Sequence, residues 1–197
     1  MTTGIGNNTY AFDECSVLHL CEIKVLDSHK AFFGGKSHLR WKNYYHLASA
    51  MAKLNSLNMP KFRFVPSENL EKNIIKVALQ LLEAQGVNIL MLTVVRADII
   101  DQLSDFKEQI EQQFKDITKD NDIGAIQEIF RKNQRMLKKG SSIPGDDDLK
   151  IIAGYVRFPS AGQKYLITED EDFWGYKDII MNNFRIHVIE EWNCSSI

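Results

Sequence analysis

The sequence has few cysteines, and they do not form a disulfide framework. Only three are present in 197 residues, Cys15, Cys21 and Cys194, and they lack the even number and regular spacing of small secreted domains. We therefore expect a reduced, cytoplasmic protein. With His19, two of them form a C-x₃-H-x-C cluster, but a zinc site needs a fourth ligand, and none follows at a suitable spacing.

Long apolar runs and targeting patterns are also missing. No uncharged run approaches the ~18 apolar residues of a membrane span, so we expect no membrane partner. The opening MTTGIGNNTY has neither a basic flank nor an apolar core, and we expect no signal peptide.

The formal net charge is −2, which argues against a generic cationic nucleic-acid binder and restricts such binding to a local patch. A P-loop, a dinucleotide fingerprint and a nucleophile elbow are absent.

The apolar segments that are present predict an α/β fold. TYAF, KFRFV, KYLIT and RIHVI, at residues 9–12, 61–65, 164–168 and 185–189, have the composition of strands, and helical patterns lie between them. This alternation implies βαβ units, and hence three layers, α/β/α, around a central, mostly parallel sheet. We expect one domain over residues 1–197, with extra helices around residues 25–60 and 100–140.

Two apolar segments are harder to assign. VNILMLTVV, residues 87–95, fits either a buried strand or the start of a helix. The apolar residues from Ile100 to Ile117 fall at helical spacing on a charged background, which predicts one long amphipathic helix.

Acidic residues follow the predicted strands, where α/β sheets bind ligands. Asp13 follows TYAF, and Glu71 lies one helical turn beyond KFRFVP. Asp170 and Asp172 follow KYLIT. Asp148 is the last of three aspartates that open the preceding helix, and a right-handed crossover can bring that helix start to the same edge.

Carboxylates gathered at one edge repel one another unless a cation neutralises them. Hard oxygen ligands suit Mg²⁺ or Mn²⁺. Two such ions, ~3.5–4 Å apart, can hold both the attacking and the leaving oxygen of a phosphodiester. Taken singly, the same acids also fit solvated turns and helix N-caps, so their convergence in one place is what favours a metal site.

Several segments resemble motifs of the PIN-domain nucleases. FDECSVLHL resembles their opening strand, aspartate and apolar helix, and DLKIIAGY resembles their central acidic motif. LITEDEDF resembles their late motif, an apolar strand followed by threonine and two aspartates at alternate positions. MPKFRFVPSENLEKNI resembles the segment that carries a glutamate on a helix, and together the matches span almost the whole chain in order.

The resemblance implies a PIN-like endoribonuclease that hydrolyses RNA phosphodiester bonds with a metal-activated water and Mg²⁺ or Mn²⁺ as cofactor. Its catalytic and metal-binding carboxylates would be Asp13, Glu71, Asp148 and Asp170, with Asp172 as a further metal ligand. Thr168 would orient the site, and Ser16 or Cys15 would fill the small polar position after the first aspartate.

Two positions have competitors. The family usually has a small residue directly after the first aspartate, whereas this chain has Glu14, which could take the place of Asp13. Asp98, in LTVVRADIIDQL, competes with Glu71. Within EDED, we expect Asp170 to be the inner ligand and Glu169 and Glu171 to face solvent.

Basic residues on the face of one predicted helix and just before another are candidates for contacts with RNA, single-stranded or structured. They are Arg40, Lys42, Arg131, Arg135, Lys138 and Lys139. The first two flank Trp41 and precede Tyr44 and Tyr45, aromatic side chains that could stack on bases.

Other functions stay open at this point. The chain could be a catalytically incomplete PIN-like subunit that binds RNA or helps assembly, or the toxin ribonuclease of a toxin–antitoxin pair. A homodimer or a protein partner is compatible with both. An unrelated phosphate-ester hydrolase with an aspartate nucleophile fits less well, because a second aspartate two residues after Asp13 is missing.

Overall fold

The computed structural model describes residues 8–28, 39–64, 86–133 and 143–197, with residues 72, 75, 76, 79, 80, 82 and 83. Inside these ranges, the side chains at 25, 26, 28, 39–44, 103, 104, 106, 107, 110 and 111 are not described. Every structural statement below concerns this described part of the chain.

Five parallel strands form the centre of the molecule, in the order β3-β2-β1-β4-β5. The strands are β1 (Thr9–Phe12), β2 (Lys61–Phe64), β3 (Lys115–Ile117), β4 (Lys164–Thr168) and β5 (Ile186–Glu190). The chain adds strands outward from β1 on one side and then returns to add β4 and β5 on the other. The two halves therefore diverge between β1 and β4, which is the topological switch point where ligands bind in such sheets.

Helices cover both faces of the sheet. They are α1 (Glu14–Ser28), α2 (Leu39–Ser56), α3 (Ile89–Glu111), α4 (Gly124–Asn133), α5 (Asp146–Arg157), α6 (Glu171–Trp174) and α7 (Lys177–Phe184), followed by a 3₁₀-helix (Glu191–Ser196). The expected three-layer α/β/α architecture is confirmed, and the sheet is entirely parallel.

Alternation along the strands divides the apolar core into two layers. Tyr10 and Phe12 pack with residues of α1, α2 and α3 on one face, whereas Ala11 points to the other face. There it packs with residues of α4, α5 and α7. The central strands β1 and β2 are buried at every position, as expected for parallel strands covered on both faces.

The edge strand β3 is the main departure from the sequence-based prediction. The long amphipathic helix was expected to reach Ile117, but α3 ends at Glu111 and Lys115–Ile117 pairs with β2. Phe114 and Ile117 are buried in the two opposite core layers. A strand of three residues is too short to show alternation, and two apolar residues three apart fit a helix equally well.

Three other segments differ less from the sequence-based prediction. Residues 89–95 are helical, which resolves the ambiguity of VNILMLTVV, and Ile89, Leu90 and Val94 are exposed there. The helix predicted after KYLIT is split at residues 175–176 into α6 and α7. The last strand begins one residue later than predicted, because Arg185 has a left-handed conformation, φ 56°, that ends α7.

The two stretches predicted as helical additions have different roles. Residues 39–56 form α2, whose Leu47, Ala50 and Leu54 are buried in the core. The second stretch contains α4 and also β3, so it supplies part of the sheet itself. Among the residues described, no helix combines the length and the apolar character that crossing a membrane requires.

Candidate metal centre and adjoining cleft

The carboxyl ends of β1 and β4 lie side by side at the switch point, and Asp13 follows the first of them directly. The Asp13 N–H donates to the carbonyl of Ile167 in β4 at 3.2 Å, which continues the pairing of the two strands. Asp13 also caps α1, since its Oδ1 accepts a hydrogen bond from the Ser16 N–H at 2.7 Å. The side chain is 3% exposed, and this burial raises the pKa of Asp13 to about 6, although the hydrogen bonds from Thr168 and Ser16 oppose the shift.

Thr168, the last residue of β4, links two of the aspartates. Its hydroxyl donates to Oδ2 of Asp13 and accepts from the Asp170 N–H at 2.9 Å. Asp170 in turn caps α6, its Oδ1 accepting from the Asp172 N–H at 2.8 Å. These hydrogen bonds fix the direction of both carboxylates, and the expectation that Thr168 orients Asp13 is consistent with them.

Ser16 also holds Asp13 and connects α1 to β4. Besides the hydrogen bond from its N–H to Asp13, its hydroxyl donates to the Ile167 carbonyl at 3.0 Å. Ser16 therefore joins the start of α1 to the end of β4. Cys15, the other candidate for this position, is exposed instead.

Asp148 reaches the same group of acids from the first turn of α5. Its Oδ2 accepts from the Gly145 N–H at 3.2 Å, and the side chain is half-buried. Burial, with the negative charges of Asp170 and Asp172, raises the pKa of Asp148 to about 6. The pKa of Asp172 is raised as well, by burial and by the charges of Asp170 and Glu171. Asp148 and the two aspartates after β4 are thus electrostatically coupled, and the hydrogen bonds of Thr168 connect Asp170 to Asp13.

Of the remaining acidic candidates, Asp98 and Glu14 can be placed in the structure and Glu71 cannot. Glu71 lies outside the described residues, so its role stays a prediction. Asp98 is exposed on α3 and accepts a hydrogen bond from Gln102 at 3.0 Å. Glu14 is the first residue of α1, one position beyond the cap formed by Asp13.

Most of the predicted RNA-binding residues cannot be placed. Arg131 is exposed on α4. Arg135, Lys138 and Lys139 lie outside the described residues, and so do the side chains of Arg40 and Lys42. Their contacts with RNA stay predictions.

A histidine and two glutamates lie beside the aspartates, and the sequence analysis did not group them. His19 Nδ1 is 2.8 Å from Oε2 of Glu191, and His19 Nε2 is 3.3 Å from Oε2 of Glu169. Burial alone would lower the pKa of His19, but the hydrogen bond and charge of Glu191, with the charges of Glu22 and Glu169, raise it. Glu169 was expected to face solvent, but its carboxylate pairs with His19. Glu171 is exposed.

The geometry of this trio fits an imidazolium better than a metal ligand. Its ligand atoms lie within 4.8 Å of one another. However, the two carboxylates face different ring nitrogens, and a doubly protonated ring donates from both. An ion bound to one nitrogen would compete with the existing hydrogen bond on that side. The structure also argues against a zinc site formed by Cys15, His19 and Cys21. Cys21 is buried in the core, and His19 is paired with two glutamates.

A simple signal would have found Glu191. It comes directly after the last strand, so it lies at the same sheet edge as Asp13 and Asp170. The rule that points to the acids after the other strands therefore also points to Glu191. His19 lies in the second turn of α1, which begins directly after Asp13.

An open cleft adjoins the acidic cluster. Its volume is about 370 Å³. The lining residues are Cys15, His19, Glu169, Asp170, Glu171, Trp174 and Trp192. Asp170 belongs to both the cleft and the cluster, so a ligand in one lies next to the other.

The donor set of the cluster fits a hard divalent cation. Asp13, Asp148 and Asp170 offer carboxylate oxygens, the preferred ligands of Mg²⁺ and Mn²⁺. Two of these carboxylates have raised pKa values because they are buried or near other acids, and a cation would relieve that unfavourable charge.

Comparison with protein-family models, with curated proteins and with solved structures finds no match. The site must therefore be interpreted from its own geometry.

Replacing Thr168 by valine is expected to weaken Mn²⁺ binding about tenfold, the lower end of the effects seen when a hydrogen bond to a metal ligand is lost. Valine keeps the shape but removes the hydroxyl that holds Asp13 and receives the Asp170 N–H. Because that hydrogen bond lowers the pKa of Asp13, its loss also favours the protonated carboxyl. Calorimetric titration with Mn²⁺ measures the effect. Thr168→Ser should bind like the wild type, and an unchanged affinity in Thr168→Val would contradict the orienting role.

Proposed function

We propose that the chain is a PIN-like, metal-dependent endoribonuclease that hydrolyses RNA phosphodiester bonds. The observation that supports this most is that Asp13 and Asp170 follow adjacent strands at the switch point of the sheet and that Asp170 interacts electrostatically with Asp148. The hydrogen bond from Thr168 to Asp13 joins residues 155 positions apart in the sequence. Solvated turns or isolated helix caps would not require such distant segments to meet.

The residues of the site have distinct tasks in this proposal. Asp13, held by Thr168 and Ser16, would bind the cation together with Asp148 and Asp170, with Asp172 as a further ligand and Glu71 as the expected helix-borne acid. A bound Mg²⁺ or Mn²⁺ would supply a water of lowered pKa and neutralise negative charge on the phosphodiester. The carboxylates hold that charge in place and repel a phosphate unless the cation is present.

A protein nucleophile is not required, and the nearest thiol is unsuited to the task. Although Cys15 is exposed as a residue, the surrounding protein partly desolvates its thiol, and this, with the charges of Asp13, Asp170, Glu14 and Glu191, raises the pKa of Cys15 to about 12. The thiol is therefore protonated at neutral pH, and only the thiolate is a strong nucleophile. Cys15, Cys21 and Cys194 form no disulfide with one another, which supports the proposal of a reducing, cytoplasmic setting.

One observation favours a non-catalytic alternative. Asp13 and Asp170 both cap helices, so both have a structural reason to be present without a metal. A PIN-like subunit that only binds RNA would use the same fold and the same caps. A measurement of metal binding distinguishes the nuclease from the non-catalytic subunit.

Titration with Mn²⁺ while the melting temperature is recorded tests the proposal. A ligand at 100 times its Kd stabilises the folded state by about 2.7 kcal/mol, which for a chain of this size corresponds to roughly 5–10 °C. We expect such a rise at sub-millimolar Mn²⁺, and the same rise in Asp146→Asn, which removes an exposed acid from the same helix turn. Intact RNA binding without any thermal shift would instead support the non-catalytic subunit.

A further inference from the structure

The cleft beside Asp170 has an aromatic wall. Trp174, at the end of α6, and Trp192, in the 3₁₀-helix, lie edge to face with ring centroids 6.0 Å apart and an interplanar angle of 77°. The indole N–H of Trp174 donates to the Glu169 carbonyl at 3.2 Å, which fixes this ring against the loop after β4. Both rings are only partly buried and line the cleft. Two partly exposed tryptophans held in place offer a platform for a flat, apolar ring.

The polar lining of the cleft consists mainly of hydrogen-bond acceptors. Glu169, Asp170 and Glu171 contribute carboxylates, and the Glu169 side chain is 35% exposed. The basic lining residue, His19, is engaged through both ring nitrogens with Glu191 and Glu169. A phosphate group in this cleft would meet these three carboxylates and be repelled. A neutral ring that carries hydrogen-bond donors would be accepted.

The position of the cleft beside the carboxylate cluster indicates which kind of molecule would carry such a ring. Asp170 belongs both to the cleft and to the carboxylate cluster where the proposed function places the scissile phosphate. In a single strand, the base of a neighbouring nucleotide can turn away from its phosphate and stack on an aromatic side chain. A volume of about 370 Å³ lies within the range of small-ligand sites.

We propose that this cleft binds the base of the nucleotide next to the scissile phosphate of a single-stranded RNA, stacked against Trp174 and Trp192. Glu169 accepts a hydrogen bond from the amino group of that base. Adenine, cytosine and guanine carry such a group, whereas uracil does not, so uracil is bound least well. The position assigned to the phosphate rests on the proposed function, but base binding by the cleft can be measured without cleavage.

The experiment uses tryptophan fluorescence. The chain has three tryptophans, so Trp41→Phe leaves the two cleft residues as reporters. This variant is titrated in Ca²⁺, in place of Mg²⁺ or Mn²⁺, with short oligoadenylate, oligocytidylate and oligouridylate, and the oligonucleotides are checked for integrity afterwards. We expect saturable quenching by the first two and roughly tenfold weaker binding of oligouridylate.

Three variants locate the binding in the cleft. Trp192→Ala should weaken oligoadenylate binding about 5- to 150-fold, the range for loss of one base–aromatic stack, with Trp174 as the remaining reporter. Glu169→Gln, whose amide can also donate to a uracil carbonyl, should reduce the preference for adenylate over uridylate. Glu108→Gln, an exposed change on α3, is the matched control and should change neither quantity.

The outcomes separate this inference from the proposed function. Cleavage in Mn²⁺ without saturable quenching, and with an unchanged KM in Trp192→Ala, would reject the base site and leave the nuclease. Saturable quenching without cleavage in any metal would reject the nuclease and leave the base site. Quenching by oligolysine but not by any oligonucleotide would overturn the inference, because tryptophans beside carboxylates would then be receiving a basic side chain of a protein.

Discussion

Replacing Asp148 and Asp170 together by asparagine should abolish metal-dependent RNA cleavage, a loss of roughly 1,000-fold or more. Asparagine keeps the size of each side chain and one acceptor oxygen. The hydrogen bonds from the Gly145 and Asp172 N–H groups can therefore persist. What is lost is the negative charge that holds the cation, so cleavage of a fluorescent RNA in Mn²⁺ should fall to background.

The same double variant should not be less stable than the wild type in the absence of metal. The pKa of Asp148 is raised from 3.8 to about 6 in the folded protein. Its stabilising contribution is fully present below about pH 4 and is lost as the pH rises through about 6. At pH 7 the variant escapes this cost, so its melting temperature should be equal or higher, and the difference should shrink toward pH 4.

A matched control changes the same number of charges elsewhere. Asp146→Asn combined with Asp178→Asn removes two exposed carboxylates, one from the first turn of α5 and one from the first turn of α7. This control should cleave RNA at close to the wild-type rate. Full activity in Asp148→Asn with Asp170→Asn would show that the aspartate cluster does not catalyse the reaction.

Gly154→Ala should destabilise the protein by about 3 kcal/mol or more, the upper part of the range for overpacked cores. A Cβ at this position in α5 would overlap the carbonyl oxygen of Thr118 and lie 3.2 Å from the Cα of Lys119. Both neighbours are backbone atoms, so no side chain can rotate away. The helix is also tied to this loop, since the Asp120 N–H donates to the Lys150 carbonyl at 3.1 Å.

Thermal unfolding measures this effect, which corresponds to a melting temperature roughly 6–12 °C lower. Gly124→Ala is the control, because a Cβ there meets no atom within 4 Å. That change should be neutral or slightly stabilising, since alanine restricts the unfolded chain more than glycine does. A Gly154→Ala protein as stable as the wild type would mean that α5 and the loop after β3 are not packed as closely as described.

Much of the fold could be predicted because its central strands carry a strong signal. TYAF, KFRFV and KYLIT are compact apolar segments followed by acids, and each forms a strand within a residue of its predicted bounds. The strand β3 could not be found in this way, because its three residues alternate too briefly and only one is buried. Its position is decided by pairing with β2, which is a tertiary contact.

Part of the candidate site could likewise be predicted from the sequence, and part could not. Asp13, Thr168 and Asp170 follow from a general rule, since residues just beyond parallel strands meet at one sheet edge. The pairing of His19 with Glu169 and Glu191 depends on how α1 is rotated against the 3₁₀-helix, and local sequence patterns do not encode that angle. The partial burial of Trp174 and Trp192 beside each other depends on the same packing.

The strand order has a consequence for the synthesis of the protein. β1 emerges from the ribosome before the other strands, but its neighbour β4, including the Thr168 that donates a hydrogen bond to Asp13, is made about 150 residues later. While the residues between these two strands are being synthesised, β1 lacks β4 as its partner, and Asp13 and Asp170 are not yet held together. Under the proposed function, the nascent chain can neither hold the cation nor cleave RNA, its own message included, until β4 has paired with β1.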